Sequence, residues 1–497
     1  MKIYKVFKDN FDEEACGCAL TCVYTDKKDF LIFYIEEERL TGVRHMATGS
    51  KRLSSRHVLE PIKRYYKHNP NLEIIELSEQ PEKHHYYHLL SAYAQTKYDE
   101  CVALISDGFD GERKYSVLLA HIKNWNVNII KKFDINSSLG RMYAATSIAI
   151  FNHRGTATGL EGKVMGLAEY GKPLSKLKAF LYDETSLTIK KLSDIDEYAS
   201  QFNCNQKNIF LNANVAATVQ YHFEEETYKL CEWLANNYPN LPLIYSGGCA
   251  LNATFNGKLL NSKLFPEVFI PPLCDDAGII IGVLADELKI KFPPMIYNNM
   301  YDNNNLDLIN YEKISYSEIA QLIKKGCIIA WFKDGSEYGP RALGHRSLLA
   351  DASIKRNSYL LNEIKGREYW RPLAPIVLDS YYKNLFPRST ESFLHKVMLA
   401  TEPIDKKYLS TYPVICSVAN TARPQILYND EFNFELYQMM NDYNLPVLVN
   451  TSFNGKGESI FEDLQNAEYF INKYEQIDIK LIVIINKEAY VYKRRNF

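Results

Sequence analysis

The sequence predicts an α/β protein of two domains, and three observations carry that reading. Short apolar runs of strand character alternate with longer runs of helical period, and several of the strands end in acidic, amide or glycine residues. A chain of 497 residues is too long for one ordinary domain. Composition shifts once, over residues 290–312, where Phe292-Pro293-Pro294 is followed by the Asn-rich run Asn298–Asn305. The expected domains are therefore 1–300 and 312–497. With 46% hydrophobic and 24% charged residues the chain has the composition of a soluble globular protein. Its net charge of −2 gives no electrostatic reason to expect nucleic acid or an anionic membrane as partner. No apolar run is long enough to cross a bilayer, and Met1–Asp9 reads as a charged strand rather than a signal peptide. A cytoplasmic location is expected. The ten cysteines are scattered, and those in apolar runs, such as Cys101, Cys231 and Cys327, are expected to be buried thiols. Cys16 and Cys18 have no partner pair at zinc spacing and read as strand residues.

Taken in order, Lys2–Phe7, Ala19–Tyr24 and Phe30–Glu36 read as strands, the last two joined by the turn 25–29. An actin-like (ribonuclease H-like) half begins this way. Glu36–His45 is a charged stretch at a strand end, and a solvated loop is its plain reading. A helix over 57–67 and a strand over Leu72–Leu77 follow. The run from Lys83 to Ala94 is helical, so His84 and His88, four apart, share a face and can hold one metal ion. The strand Cys101–Ser106 ends in Asp107, at the strand end where open α/β sheets place ligand groups. A further acidic pair, Asp275-Asp276, precedes an apolar helix. Two imidazoles with carboxylates suit Fe(II), Mn(II) or Zn(II). Histidines four apart also occur as surface or core residues, and the adjacent Glu of HExxH is missing. Strands over Lys114–His121 and Val127–Phe133 and a helix over 138–152 come next. In Gly159–Gly171, glycines surround Lys163, a pattern that fits close approach to a nucleotide and equally fits helix packing. Residues 209–237 form a long helix on which Gln220 and Glu224 share a face, either toward a ribose or toward solvent. The strand Leu243–Tyr245 then runs through Gly247-Gly248 and Asn252 into a helix, a turn whose N–H groups can face an anion. The strand Glu267–Ile270 closes the domain.

The second domain opens with a helix over 316–325 and a buried strand, Cys327–Phe332. Polar motifs follow that a core cannot explain. Tyr338–Ser347 frames Arg341 and Arg346 with glycines, Lys365–Pro375 supplies Lys365, Arg367 and Arg371, and Thr421–Gln425 adds Arg423. The strand Pro446–Val449 ends in Asn450-Thr451-Ser452. Cations interleaved with rigid and apolar residues read as a pocket for a multiply charged anion rather than as surface charge.

Together these motifs resemble the O-carbamoyltransferase family of the nodulation and cephamycin type, which includes carbamoyltransferases of aminoglycoside and ansamycin biosynthesis. The resemblance runs over essentially the whole chain. GPRALGHRS, REYWRPLAP, TARPQ and VLVNTSFNGKGESI are its most specific pieces, supported by EGKVMGLAEYG, SGGCALNATFNGKL and HHYYH. It implies an N-terminal actin-like (ASKHA) domain followed by a C-terminal YrdC-like α/β domain. In the second, carbamoyl phosphate and ATP, with Mg(II), would give carbamoyl-adenylate. That intermediate would pass inside the protein to a metal in the first, Fe(II) foremost, held by His84, His88, Asp107 and Asp276. There a hydroxyl of a sugar or natural product would take the carbamoyl group and AMP would leave. The resemblance also implies that Lys163, Glu224, Gly247, Gly248 and Asn252 hold nucleotide. Arg341, Arg346, Lys365, Arg371, Arg423, Asn450 and Ser452 would bind the phosphates and carbamoyl group, with Arg341 and Arg371 acting on the reaction.

The chain also departs from the family. Asp12-Glu13-Glu14-Ala15 stands where a His-Asp-Ser-Ala-like element is usual, Arg44 replaces a Lys before His45, and Ala419-Asn420 begins the DGTARxQ element. The missing His leaves Asp12 or His45 as candidate base. Two other readings share these motifs: a threonylcarbamoyl-type tRNA-modifying enzyme, against which stands the absence of a basic stripe, and a non-catalytic nucleotide-binding homologue. The partner expected is a small hydroxyl acceptor, with no nucleic acid or membrane; a homodimer is compatible with the sequence.

Overall fold

The computed structural model describes residues 2–8, 18–24, 30–36, 39, 73–151, 159–174, 177–183, 185–202, 209–298 and 308–494. Asp12, His45 and the helix expected over 57–67 lie outside them. The chain divides into two compact units, Met1–Glu36 with Ala47–Pro294, and Glu37–Met46 with Met295–Phe497. Both are mixed α/β. Among the described residues no helix is long and apolar enough to cross a membrane.

The first unit contains two larger sheets. In one, β1 (Lys2–Lys8), β2 (Cys18–Tyr24) and β3 (Phe30–Glu36) form an antiparallel meander, and β4 (Glu73–Ser78) joins β1 in parallel. Helix α1 (His84–Ala94) follows. In the other, β5 (Glu100–Ser106), β6 (Tyr115–Lys123) and β7 (Asn126–Asp134) form a second antiparallel meander. The chain continues through α2 (Leu139–Phe151), α3 (Glu161–Ala168), the small hairpin β8 (Phe180–Asp183) and β9 (Thr188–Lys191), α4 (Ile195–Ser200) and the long α5 (Ile209–Asn237). Strand β10 (Leu243–Ser246) then lies parallel to β5, pairing Ser246 with Ile105, and β11 (Val268–Phe269) lies parallel to β10. Because β5 and β10 run the same way, their C-terminal ends adjoin, which brings Asp107 beside Gly247-Gly248. Helix α6 (Ala253–Ser262) follows β10, and α7 (Ile279–Leu288) ends the unit. Gly282 lets α7 press against α1, since a Cβ there would lie 1.9 Å from the Tyr87 carbonyl oxygen.

The second unit is built on one eight-stranded sheet of order β12-β21-β20-β13-β14-β19-β15-β18. Its elements are β12 (Tyr311–Ile314), α8 (Tyr316–Lys324), β13 (Ile328–Lys333), β14 (Arg346–Asp351), α9 (Arg356–Ile364), β15 (Ala374–Leu378), α10 (Asp379–Leu385), α11 (Phe393–Lys396), the pair β16 (Glu402–Pro403) and β17 (Thr421–Ala422), β18 (Gln425–Leu427), α12 (Phe434–Asp442), β19 (Val447–Ser452), α13 (Leu464–Lys473), β20 (Ile479–Ile485) and β21 (Glu488–Tyr492). Strand alternation splits the core between the sheet's two faces. Ile328, Ala330 and Phe332 pack on one, Ile329 and Trp331 on the other. A sheet covered on both faces needs apolar residues at every position, which is why these strands read as unbroken apolar runs. Helix α8 starts at a capping box, Ser315 with Glu318.

Candidate functional site

In the first unit, α1 buries all of its residues except Tyr86, so both histidines face inward. His84 and His88 lie one turn apart with ring centroids 4.9 Å from each other. Asp107 arrives at the end of β5. Of the acidic pair, Asp275 accepts from the Ala277 N–H at 3.2 Å and caps the turn, while Asp276 turns toward the histidines. Nε2 of His88 is 3.3 Å from Asp107 Oδ2 and 3.4 Å from Asp276 Oδ1, and Nε2 of His84 is 3.4 Å from Asp276 Oδ1. The four donor atoms all lie within 4.8 Å of one another. Burial alone would lower the pKa of His88, but Asp107 and Asp276 outweigh it and raise it. Burial alone would raise Asp107, and His88 brings it below the ordinary carboxylate value. Two imidazole nitrogens and two carboxylate oxygens converging on one point, one histidine fully buried, fit a divalent transition metal.

The glycine pair serves this site in a way the sequence did not reveal. Gly247 takes φ 95°, and a Cβ there would lie 2.2 Å from the Ser106 carbonyl oxygen. Its N–H donates to Cys274 O at 2.7 Å. The Gly248 N–H donates to Asp107 Oδ2 at 2.9 Å, and the Gly108 N–H to Oδ1 at 2.6 Å. The amides expected to face a nucleotide thus hold protein oxygens. Glu79, which the sequence reading passed over, lies 2.8 Å from Nδ1 of His84.

The other nucleotide candidates in this unit fall into one network. Gln220 donates to Glu224 Oε1 at 2.7 Å and to Asn252 Oδ1 at 3.0 Å, and accepts from Asn252 at 3.0 Å and from the Tyr143 hydroxyl at 2.8 Å. Asn252 also caps α6 by accepting from the Phe255 N–H at 3.1 Å, and Glu224 pairs with Lys258. These side chains join α2, α5 and α6. Lys163, on α3, sits 5.4 Å from the Phe151 ring centroid.

In the second unit the cations gather around Arg423. Burial, then the guanidinium groups of Arg341, Arg367 and Arg371, push Arg423 well below the ordinary arginine value. Its Nε is shielded from solvent and has no hydrogen-bond partner among the described residues. Burial and Arg371 likewise push Arg367 down to about 9. Arg367 donates from Nε to Asn362 Oδ1 at 2.6 Å. Lys365 is spent on the β19 loop: its Nζ donates to Ser452 O at 2.8 Å, Ser452 Oγ at 3.0 Å, Asn454 O at 2.9 Å and the Asn454 side chain. Asn450 gives its N–H groups to Ala342 O at 3.0 Å and Gln425 Oε1 at 2.7 Å, leaving its buried Oδ1 without a partner among the described residues. Arg346, expected at the phosphates, is instead fully buried. It donates to the carbonyls of Lys333, His345, Phe461 and Glu462, with its guanidinium carbon 3.6 Å from the Phe332 ring centroid. A guanidinium so placed braces β14 rather than meeting an anion.

The loop carrying Arg341 is held by Glu337. One carboxylate oxygen accepts the N–H groups of Leu343, His345 and Arg346 at 2.6, 2.9 and 3.0 Å. Burial alone would raise its pKa; His345 and those N–H groups hold it below the ordinary value. Gln425 adds a bond to Leu343 O at 2.7 Å.

Residues 56–284 match the family described as Carbamoyltransferase N-terminus, and residues 320–490 the one described as Carbamoyltransferase C-terminus. The chain is 28% identical to nodulation protein NolNO of Sinorhizobium fredii over 83% of its own length and 63% of that protein, less than two thirds of the relative. It is 28% identical to nodulation protein NolO of Bradyrhizobium diazoefficiens over 77% of its own length and 75% of the relative. Among solved structures it is similar to full-length HypF in a phosphate- and nucleotide-bound form, at 13% identity and TM-score 0.38, covering 57% of this chain and 55% of that one. A likeness at that score does not fix a shared fold.

Proposed function

The chain belongs to the carbamoyltransferase family, and on that footing we propose that it is an ATP-dependent O-carbamoyltransferase. The observation that carries the reading is Arg423, whose buried Nε has no hydrogen-bond partner among the described residues and whose charge is opposed by Arg341, Arg367 and Arg371. Such a cluster is costly until an anion of several charges joins it. ATP and carbamoyl phosphate are such anions. Asn450 adds the second half of the recognition, since its Oδ1 suits the N–H of a carbamoyl group.

The chemistry then runs in two stages. Carbamoyl phosphate loses its phosphoryl group to water, giving carbamate and phosphate. A carbamate oxygen attacks the α-phosphorus of ATP, the bond to the β-phosphate bridge breaks, and pyrophosphate leaves with its Mg(II). Arg341, Arg367, Arg371 and Arg423 neutralise the charge that moves onto the leaving group. Lys365 acts through Ser452 and Asn454, whose loop it fixes. In the second stage a hydroxyl oxygen of a sugar or natural product attacks the carbamoyl carbon of carbamoyl-adenylate. The carbon–oxygen bond to AMP breaks, and the hydroxyl proton passes to a base, for which Asp12 and His45 are the candidates. His84, His88, Asp107 and Asp276 would hold the metal of the first unit, Fe(II) foremost, which supplies Lewis acidity for the carbamoyl or phosphate oxygen.

The proposal takes the first unit as actin-like. In support, each of its two larger sheets has an antiparallel meander whose first strand takes a parallel partner, β4 on β1 and β10 on β5. It takes the second as YrdC-like, supported by the wide mixed sheet with the basic residues in its adjoining loops. The test is to incubate the protein with Mg(II), ATP and carbamoyl phosphate, without acceptor, and follow pyrophosphate and carbamoyl-adenylate. Product that is lost in Arg371→Ala and kept in His84→Ala supports the two-stage scheme. Carbamoyl phosphate that is never consumed ends it.

A further inference from the structure

We propose that Glu79 is the positioning residue of the metal site, its carboxylate fixing the His84 ring so that Nε2, and not Nδ1, faces the other three donors. The proposal rests on the reading of the His84, His88, Asp107 and Asp276 quartet as a metal site. Glu79 Oε1 lies 2.8 Å from His84 Nδ1, and both side chains are largely withdrawn from solvent, at 13% and 7% exposure. A carboxylate oxygen can only accept, so Nδ1 carries the proton and Nε2 carries the lone pair. That Nε2 is the atom 3.4 Å from Asp276. The same bond sets the ring plane: with Nδ1 tied to Glu79 and the Cβ fixed on α1, rotation of the ring is stopped from both ends.

His84 needs this more than His88 does. His84 is the first residue of α1 and follows directly on the short turn Pro81–Lys83, so its backbone sits where helices fray. His88 lies a full turn inside the helix, at 0% exposure, where the surrounding core confines the ring. Its Nδ1 has no hydrogen-bond partner among the described residues. One histidine of the pair is thus oriented by the core and the other by Glu79. A carboxylate behind a ligating imidazole also makes the ring a stronger donor.

The test uses the full chain and Zn(II), titrated in competition with a chromophoric chelator, together with the visible spectrum of the Co(II) form. Glu79→Ala is expected to weaken Zn(II) binding by about 10- to 100-fold and to change the Co(II) spectrum. Glu79→Gln keeps an oxygen that accepts from Nδ1 and is expected to restore the spectrum and most of the affinity. Wild-type affinity and spectrum in Glu79→Ala, beside a clear loss in His84→Ala, would overturn the proposal. So would a Glu79→Gln chain as impaired as Glu79→Ala, which would assign the effect to charge and not to orientation. If His84→Ala binds Zn(II) as wild type does, the metal reading itself fails, a result distinct from either. Should Glu79→Ala not fold, Glu79→Leu, which keeps the side-chain bulk but offers no acceptor to Nδ1, takes its place in the same comparison.

Discussion

Removing Glu337 should release the loop that carries Arg341. Three main-chain N–H groups converge on one carboxylate oxygen at 2.6 to 3.0 Å. Glu337→Ala leaves all three buried, at about 1–3 kcal/mol each, less whatever water recovers in the space left by the side chain. The three together span about 3–9 kcal/mol, and with water recovering part of the loss the net cost is about 4 kcal/mol, in the lower part of that span. Glu337→Gln keeps an oxygen in place and loses only the charge, and its amide group falls where Oε2 now has no partner among the described residues. It should cost about 1–2 kcal/mol, the difference between a charged and a neutral acceptor. Hydrogen exchange followed by mass spectrometry reads the loop directly. A tenfold change in opening corresponds to about 1.4 kcal/mol. Residues 338–346 should therefore exchange about 10-fold faster in Glu337→Gln and about 1,000-fold faster in Glu337→Ala. Pyrophosphate release should fall in the same order. Unchanged exchange in Glu337→Ala would refute the reasoning, because the three bonds would then contribute nothing to holding the loop.

Arg423→Gln should weaken pyrophosphate binding about 100-fold, roughly the 2–5 kcal/mol that a desolvated charge partner is worth. The same change should raise the ligand-free unfolding temperature by relieving repulsion from Arg341, Arg367 and Arg371; calorimetry reads both, and a lowered unfolding temperature would count against the cluster. Burial pushes His222 down to about 4, against an opposing bond to Phe180 O. The unfolded chain therefore binds the extra proton first, and stability should fall as pH drops from 6.5 toward 4, by about 2 kcal/mol at pH 5. His222→Gln should flatten that slope in urea unfolding, and an unchanged slope would show the loss to lie elsewhere. Gly282→Ala should destabilise the first unit by about 1–3 kcal/mol through overpacking and lower Zn(II) uptake, since its Cβ meets the Tyr87 carbonyl of α1; wild-type uptake and stability would mean that α7 can shift freely.

Three of the four candidate metal donors left a local mark in the sequence. His84 and His88 announced themselves by helical spacing, and Asp107 by ending an apolar strand. The choice between Asp275 and Asp276 was not legible in spacing, because both flank the same turn and only cap geometry separates them. Glu79 stood apart because a short helical turn divides it from α1, so no periodicity connects it to His84. Gly247-Gly248 read correctly as a tight turn, but the target of its amides is set by the parallel pairing of β5 and β10, a contact between strands 141 residues apart at the Gly248–Asp107 bond. Arg346 was legible as a cation in a glycine-framed motif. Its burial depends on the carbonyls of Phe461 and Glu462, more than a hundred residues downstream, which no local pattern announces.

Arg39 is nearly buried and donates to the carbonyls of Glu337 and Gly339, 298 and 300 residues further along the chain. It groups with the second unit although the first unit's strands lie on both sides of it in sequence. During synthesis, at about 5–20 residues per second, its partners emerge roughly 15–60 s after it does. For that interval a guanidinium destined for the interior must stay in solvent while β1 to β3 have already been made. Arg39 therefore meets these two acceptors only after the whole first unit has been made. A pause in synthesis anywhere between residues 39 and 339 would lengthen that exposure.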